Sequence, residues 1–451
     1  MQLFVRDRHF YNQLMRIAIP IALQNLITVM VSMMDTLMIG QLGEVQLSAT
    51  SIANQLWFLL MIICFGISGG ANVLIAQYWG KGDVQVIRRV QAMTYKIALG
   101  VSLIFLFISL AFPEAFLSVF TTDAEVIAYG AQYLRIIGFS YPLYALANVT
   151  IMMLRSVGTV NISVVMYLVS LVVNTVLNYA LIFGHFGAPA LGIQGGAAAT
   201  AIARLFEFGI ATGFLLWKED KLHFRLKDLL PSNRELYKKY ISLSIPVIGN
   251  ELTWGLGASL VGVVIGRMGT NFVAANSIFS VLNQFVSVLI FGIGNAALTL
   301  VGNTIGAGEY EKAKQRSVTL YALALIIGIF SGALTLALGP LLRSFYHNLS
   351  AETVEIYNSL VLVGALVIVF IALANVGMVG ILRAGGDAKF VFFADVAFLW
   401  LIAVPLGFIT GLWLHWPAPV VYLFLKSDEF LKVICSTVRI LRFRWLRDVT
   451  L

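Results

Sequence analysis

IPIALQNLITVMVSMMDTLMIGQLG (residues 19–43) and IPVIGNELTWGLGASLVGVVIGRMG (residues 245–269) are two versions of one segment. They superpose without a gap at an offset of 226, and the match runs on to residues 82 and 308. Ile19 and Pro20 fall on Ile245 and Pro246, and Ile39 and Gly40 on Ile265 and Gly266. Gly43 falls on Gly269, and Ser51 and Ile52 on Ser277 and Ile278. Phe65, Gly66 and Ile67 fall on Phe291, Gly292 and Ile293, and Gly80 and Gly82 on Gly306 and Gly308. Roughly a quarter of the aligned positions are identical, with Gly and Pro prominent, as a backbone geometry used twice would leave behind. Both copies are strongly apolar. A duplicated apolar half is the pattern of a membrane transporter more than of any enzyme.

The composition agrees. Hydrophobic residues make up 59% of the chain and charged residues 12%, whereas a soluble domain carries about twice that charge. So little polar surface makes the bilayer the solvent. The net charge of +8 does not point to nucleic acid, because the basic residues punctuate apolar runs and form no patch. Cys64 and Cys435 lie far apart in apolar segments, so neither a disulfide framework nor a metal site is expected. No HExxH, no clustered His and no nucleophile–base spacing occurs, so an enzyme is not expected, nor a cofactor. Without a small-residue cleavage site after a short apolar core, the first span reads as retained.

Apolar stretches of spanning length recur twelve times. They are placed at 14–40, 47–77, 93–112, 126–153, 162–184, 193–217, 239–266, 273–303, 318–342, 353–382, 389–413 and 416–438. The last is interrupted by Lys426, Asp428, Glu429 and Lys432. Of the 30 Lys and Arg residues, 26 fall in alternate loops and the termini, among them Arg155, Arg383, Lys426 and Lys432. Positive charge stays cytoplasmic, so both termini are expected inside. Six spans separate the two repeat starts, an even number, which makes the repeats parallel. The expected fold is therefore an all-α integral membrane protein, with twelve transmembrane helices in two six-helix lobes related by a parallel pseudo-two-fold. Its divisions are an N-terminal lobe over 1–217, a cytoplasmic linker over 218–238 containing Pro231, Ser232 and Asn233, and a C-terminal lobe with a cytoplasmic tail over 239–451. Pro20 and Pro246 are expected near the starts of their helices, and Gly69, Gly70 and Pro405 as bends.

The second halves of the lobes also echo each other. Ala145-Leu-Ala-Asn-Val149 recurs as Ala372-Leu-Ala-Asn-Val376, and Leu154-Arg155 as Leu382-Arg383. Arg204 and Glu207 recur as Lys426 and Glu429 with the same i,i+3 spacing, which places acid and base on one helix face as structural pairs.

These residues resemble the multidrug and toxic compound extrusion (MATE) family. The specific likeness lies in Val31-Ser-Met-Met-Asp-Thr-Leu-Met-Ile-Gly40, in Gly80-Lys-Gly-Asp83 with its echo Gly306-Ala-Gly-Glu309, in Leu154-Arg-Ser-Val-Gly158, and in Leu382-Arg-Ala-Gly-Gly-Asp387. It covers nearly the whole chain. The resemblance implies export of small organic, often cationic, compounds, driven by inward Na⁺ or H⁺, with two lobes rocking around a central cavity. It also implies residence in a bacterial or archaeal inner membrane; a monomer is expected.

Ionisable groups inside spans are costly and mark function. Asp35 reads as a cation or proton site or as a helix-end carboxylate; its apolar neighbours favour the first, and the resemblance places the N-lobe coupling carboxylate here. Asn174 and Asn178 share a helix face at i,i+4, and their amide oxygens suit Na⁺. Where relatives carry Asp, this chain has Asn178, so a metal reading of Asp35 with Asn178 lacks one carboxylate. Thr200 completes the implied site. The resemblance makes Glu251 the cation- or drug-binding acid of the C-lobe, with Asn375 nearest a position that holds Asp in relatives. The repeat superposes Glu251 on Asn25 and Asp35 on Val261, so the two acids lie at different depths. Asp395 reads equally as an interfacial acid near Lys389 or as a lumen residue, and Arg135 has no evident partner. Gln55, Trp57, Tyr141 and Gln284 are candidate cavity residues, the aromatics for cation–π contact with a substrate.

Two other functions compete. A flippase for a lipid-linked precursor shares the superfamily architecture but needs a basic cavity, whereas Asp35 and Glu251 are acidic. A channel does not use rocking repeats.

Overall fold

A computed structural model describes residues 4–229, 233–346 and 349–450. Pro231 and Ser232 of the expected linker lie outside these residues. Among the described residues the regular structure is entirely helical. In chain order the spans are α1 (Arg8–Gly40), α2 (Glu44–Lys81), α3 (Val84–Ala111), α4 (Ala124–Ile137 with Ser140–Ser156), α5 (Asn161–Phe183) and α6 (Ile193–Trp217). Then come α7 (Arg234–Arg267), α8 (Thr270–Gly306), α9 (Tyr310–Arg343), α10 (Ala351–Leu382), α11 (Ala388–Trp413) and α12 (Ala418–Leu425 with Ser427–Leu441). Ten of these are each long and apolar enough to cross a membrane, and α4, bent by 52°, makes an eleventh. The chain is thus a multi-pass membrane protein. The twelfth helical segment breaks at Lys426, whose φ of −110° and ψ of 13° leave the helical region.

That break corrects one expectation. Lys426 is itself the break and caps the second half of α12; Glu429 N donates to its carbonyl at 3.2 Å and the two charges act on each other, but the ion pair that Glu429 forms is with Lys432, at 3.4 Å. A second correction concerns the prolines. Pro20 and Pro246 are each the thirteenth residue of their helices, because polar turns before the apolar segments are also helical. Each removes the hydrogen bond to the carbonyl four residues earlier, of Arg16 and Ser242. At Gly70, α2 continues without a break. The glycine's missing side chain admits Ser244 of α7, which a Cβ would overlap.

The chain folds into two compact units. The N unit comprises Leu23–Ile75 and Val84–Ser244; the C unit comprises Met1–Ala22, Ala76–Asp83 and Ile245–Leu451. The boundaries run inside α1, α2 and α7. The N unit's core joins Ala49, Leu56, Leu60, Leu134, Tyr141 and Ala145 from α2 and α4, with a second cluster of Ile27, Ile151, Met166 and Ala211. The C unit's core joins Phe279, Leu282, Leu360, Ile368, Val421 and Tyr422. Large apolar side chains such as Phe107, Val172, Ile326, Phe330, Leu362 and Leu401 stay exposed, as lipid-facing positions do.

Within the C unit the end of α2 crosses α8 in a reciprocal contact. A Cβ on Gly80 would overlap the Asn303 carbonyl, and a Cβ on Gly306 would overlap the Gln77 carbonyl. Gly302 sits in the same way against Ala76. Gln77 and Asn303, Gly80 and Gly306, and Ala76 and Gly302 are repeat equivalents, so the contact is the repeat meeting itself. Ala76-xxx-Gly80 and Gly302-xxx-Gly306 are small-xxx-small stripes that let backbones touch. The helix caps repeat too: Gly82 and Gly308 have φ of 80° and 76°, and Gly43 and Gly269 have 127° and 124°. L-residues avoid this region.

Beyond α2, the Gln77 side chain ties down the C-terminal segment. Its Nε2 donates to the carbonyls of Ala384 (2.8 Å) and Arg447 (3.1 Å), and its Oε1 accepts from Val449 N (2.8 Å). Asp387, which ends the Leu382–Asp387 motif, accepts from Arg439 Nε at 2.6 Å.

Gly80→Ala and Gly306→Ala are each expected to destabilise the protein by about 2 kcal/mol through overpacking. Gly100→Ala, on an exposed helix face with nothing near its Cβ position, is neutral or slightly stabilising. Thermal unfolding in detergent measures all three. An unchanged midpoint for Gly306→Ala contradicts the close crossing.

Candidate functional site

The N unit builds a polar ladder from one hairpin. Gly184 ends α5 at φ 77°, and Gly195 lets the start of α6 press on the Leu181 carbonyl, where a Cβ would not fit. The close antiparallel pair sets Ser170, Asn174 and Asn178 of α5, one turn apart, against Thr200 and Glu207 of α6. Asn174 Nδ2 donates to Thr200 Oγ1 at 3.2 Å. Asn178 Nδ2 donates to Asn174 Oδ1 at 3.1 Å and to Asp35 Oδ1 of α1. Ser170 Oγ donates to Glu207 Oε1. Asp35, Asn174, Asn178 and Thr200 are thus brought together. Asn174 and Asn178 have no exposed surface, and Asn178 Oδ1 has no hydrogen-bond partner. Its lone pairs, beside the Asp35 carboxylate, are what an oxygen-seeking cation uses.

Arg204 belongs to the same ladder. It stands one turn beyond Thr200, donates to Glu207 Oε2 at 2.8 Å, and lies over the rings of Tyr144 (4.9 Å) and Trp57 (5.8 Å). The expected Arg204–Glu207 pair is therefore present, but inside the candidate site. Trp57 has its cation–π partner in the protein itself. The i,i+4 spacing of Arg204 from Thr200 is the sequence signal that places this structural pair in the site. Tyr141, expected in a cavity, is fully buried in the helix-packing core and is corrected to a core residue. Gln55 and Gln284 stand on exposed faces of α2 and α8.

In the C unit Glu251 is not an isolated acid. Arg383 Nη1 donates to Glu251 Oε1 at 3.0 Å. Arg383 and Arg155, counted among loop charges in the sequence, are both buried. Arg155 Nη2 donates to Gln24 Oε1 at 3.1 Å. The equivalent arginines thus reach α1 and α7 at neighbouring register positions, one meeting an amide and the other an acid. Asn375 opens a π-helical stretch, Asn375–Leu382, and lies against Gly294 of α8; its Oδ1 has no partner. Asp395 meets Lys432 at 3.0 Å rather than Lys389, and Lys432 also binds Asp428 at 2.8 Å. Lys432 is thereby a buried counter-ion and not a loop charge. Arg135 finds a partner in Glu114 at 2.6 Å, both exposed. Among the described residues no group of three His, Cys, Asp or Glu side chains could hold a metal.

The profile of one family, MatE, matches this chain twice, over residues 20–180 and 246–409. The two matches begin at Pro20 and Pro246, at the offset of the internal repeat.

The chain belongs to the MatE family.

Its relatives are transporters. The chain is 27% identical over 391 residues to the probable multidrug resistance protein NorM of Agrobacterium fabrum, covering 83% of each. It is 24% identical over 403 residues to the multidrug resistance protein MdtK of Yersinia pseudotuberculosis, covering 88% of this chain and 87% of that one. Among solved structures, an outward-facing multidrug resistance MATE transporter of the MOP superfamily matches at TM-score 0.86 and 16% identity over 96% of both chains. A MOP superfamily transporter from Pyrococcus furiosus, described as having a binding pocket of reverse polarity, matches at TM-score 0.86 and 17% identity, covering 96% of this chain and 95% of that one. These likenesses establish the MatE fold as a two-lobe helical membrane fold.

Breaking the buried Arg204–Glu207 pair of this MatE protein leaves an uncompensated charge. Arg204→Met alone is expected to cost about 3 kcal/mol. Arg204→Met with Glu207→Leu recovers most of that loss. A double-variant unfolding midpoint as low as that of the single variant contradicts the pairing.

Proposed function

We propose that this protein exports small organic cations by antiport against inward Na⁺ or H⁺, through alternating access of its two lobes. The observation that carries the reading is Asp35, one hydrogen bond from Asn178 and two from Asn174, with the Asn178 oxygen unspent. The Asp35 carboxylate, with the neutral oxygens of Asn174, Asn178 and Thr200 beside it and Glu207 already neutralised by Arg204, can take up and release a monovalent cation as cargo, without the charge excess that holds a divalent one. The multidrug resistance names of the NorM and MdtK relatives support drug export. Glu251 serves as the acid that meets the substrate. The concentration of Lys and Arg in alternate loops supports an inner-membrane orientation with both termini cytoplasmic. A lipid-linked-precursor flippase is not favoured, because Arg204 is paired with Glu207 and Arg383 Nη1 with Glu251, which leaves no cluster of free basic groups for a phosphate among these residues.

The test is ethidium export from inverted membrane vesicles. Asp35→Asn, which keeps the side-chain shape, is expected to reduce gradient-driven export to background while leaving the unfolding free energy within about 0.5 kcal/mol of wild type. Glu251→Gln loses export as well, and it also destabilises the protein by leaving Arg383 without its counter-ion. Full ethidium export by the Asp35→Asn, Glu251→Gln double variant refutes the mechanism.

A further inference from the structure

Arg204 and Glu207 bring two opposite charges into the interior of the N unit. Glu207 is 2% exposed, the Arg204 side chain is 15% exposed, and they meet at 2.8 Å. A buried ion pair is often no more stable than apolar residues of the same size, so its place beside a cation site calls for another role. The ladder fixes that place. Ser170, one turn before Asn174 on α5, donates to Glu207, and Arg204 stands one turn after Thr200 on α6. The charge of Arg204 acts on Asp35. The other titratable groups around the pair and Asp35 are the phenols of Tyr133, Tyr144 and Tyr167 and the thiol of Cys64, all uncharged at neutral pH. The buried Arg155 acts on Tyr167 and keeps its charge in every variant below. Because Arg204 and Glu207 cancel, Asp35 is left as one uncompensated carboxylate, and a monovalent cation bound there brings the three residues to neutrality.

We propose that the Arg204–Glu207 pair sets the affinity of the Asp35 site for its coupling cation. This rests on the export reading above and deepens it. A guanidinium does not give up its proton in a protein. Without Glu207, Arg204 is a fixed positive charge in a medium of low dielectric, where it opposes any cation arriving at Asp35. Glu207 cancels that field at short range, and Ser170 and the faces of Tyr144 and Trp57 hold the two groups in place. Glu207 is thus a positioning residue, which acts through Arg204 rather than on the cation.

The test is ethidium export from proteoliposomes of wild type, Glu207→Gln, and Glu207→Gln combined with Arg204→Gln. Export is followed against Na⁺ concentration at fixed pH and against pH without Na⁺. Glu207→Gln is expected to raise the half-saturating Na⁺ concentration about tenfold, or to lower the midpoint of H⁺-driven export by about one pH unit, the effect of one unanswered charge in a protein interior. The double variant removes both charges and returns the half-saturation to the wild-type value. A pair that only holds helices together lowers the maximal rate in Glu207→Gln and leaves the half-saturation where it is. An unshifted half-saturation in Glu207→Gln therefore overturns the proposal, and so does a double variant shifted as far as the single one. Should Glu207→Gln fail to assemble, Arg204→Gln decides. With the guanidinium gone, the half-saturating concentration is expected at or below that of wild type, and a rise overturns the proposal. Wild type that answers to one gradient, with Glu207→Gln unshifted, sinks the role of the pair alone. Wild type whose export answers to neither gradient sinks the export reading with it.

Discussion

Backbone touching backbone at the α2–α8 crossing is the constraint on which the rest of the fold hangs. Gly80 admits the Asn303 carbonyl and Gly306 admits the Gln77 carbonyl, one contact made twice by repeat-equivalent residues. In a bilayer there is no hydrophobic drive to bring helices together, so association rests on close packing by small residues. The same turn of α2 carries Gln77, which anchors the C-terminal segment through Ala384, Arg447 and Val449. Displacing that crossing therefore disturbs the anchor of the C-terminal segment and the Leu382–Asp387 turn beside it.

On this repeated frame the polar chemistry is not repeated. In the N unit, Asp35 meets amides, and the nearby guanidinium of Arg204 is spent on Glu207 and two aromatic rings. In the C unit, Glu251 meets a guanidinium directly. The difference follows from single positions: Asp35 superposes on Val261, and Glu251 on Asn25. A buried charge is tolerated only with a partner, so each unit recruited a different one.

The frame was legible in the sequence because Gly and Pro record backbone geometry directly. Gly82 with Gly308 and Gly43 with Gly269 stand at the same left-handed positions in both copies, and eleven of the spans lie where hydropathy placed them, within a few residues apart from extensions at several helix ends. Helix starts were read late where the first turns are polar, as at Arg8 and Arg234, since hydropathy sees the bilayer and not the helix. The gathering of Asp35, Asn174, Asn178 and Thr200 was legible from helical spacing plus family likeness. The partners of Glu251, Asp395 and Arg135 were not. Arg383, Lys432 and Glu114 are 132, 37 and 21 residues away in sequence, and side-chain pairing across such separations leaves no periodic trace. Basic residues counted as loop charges proved to be buried counter-ions for the same reason.

The central claim is that a monovalent cation gradient drives export through this duplicated scaffold. The most direct measurement is dye export from proteoliposomes in which an inward Na⁺ gradient and an inward H⁺ gradient are imposed one at a time. The account predicts that at least one gradient alone accelerates export and that collapsing it returns export to the rate of protein-free vesicles. Export that proceeds at the same protein-dependent rate with both gradients absent contradicts it.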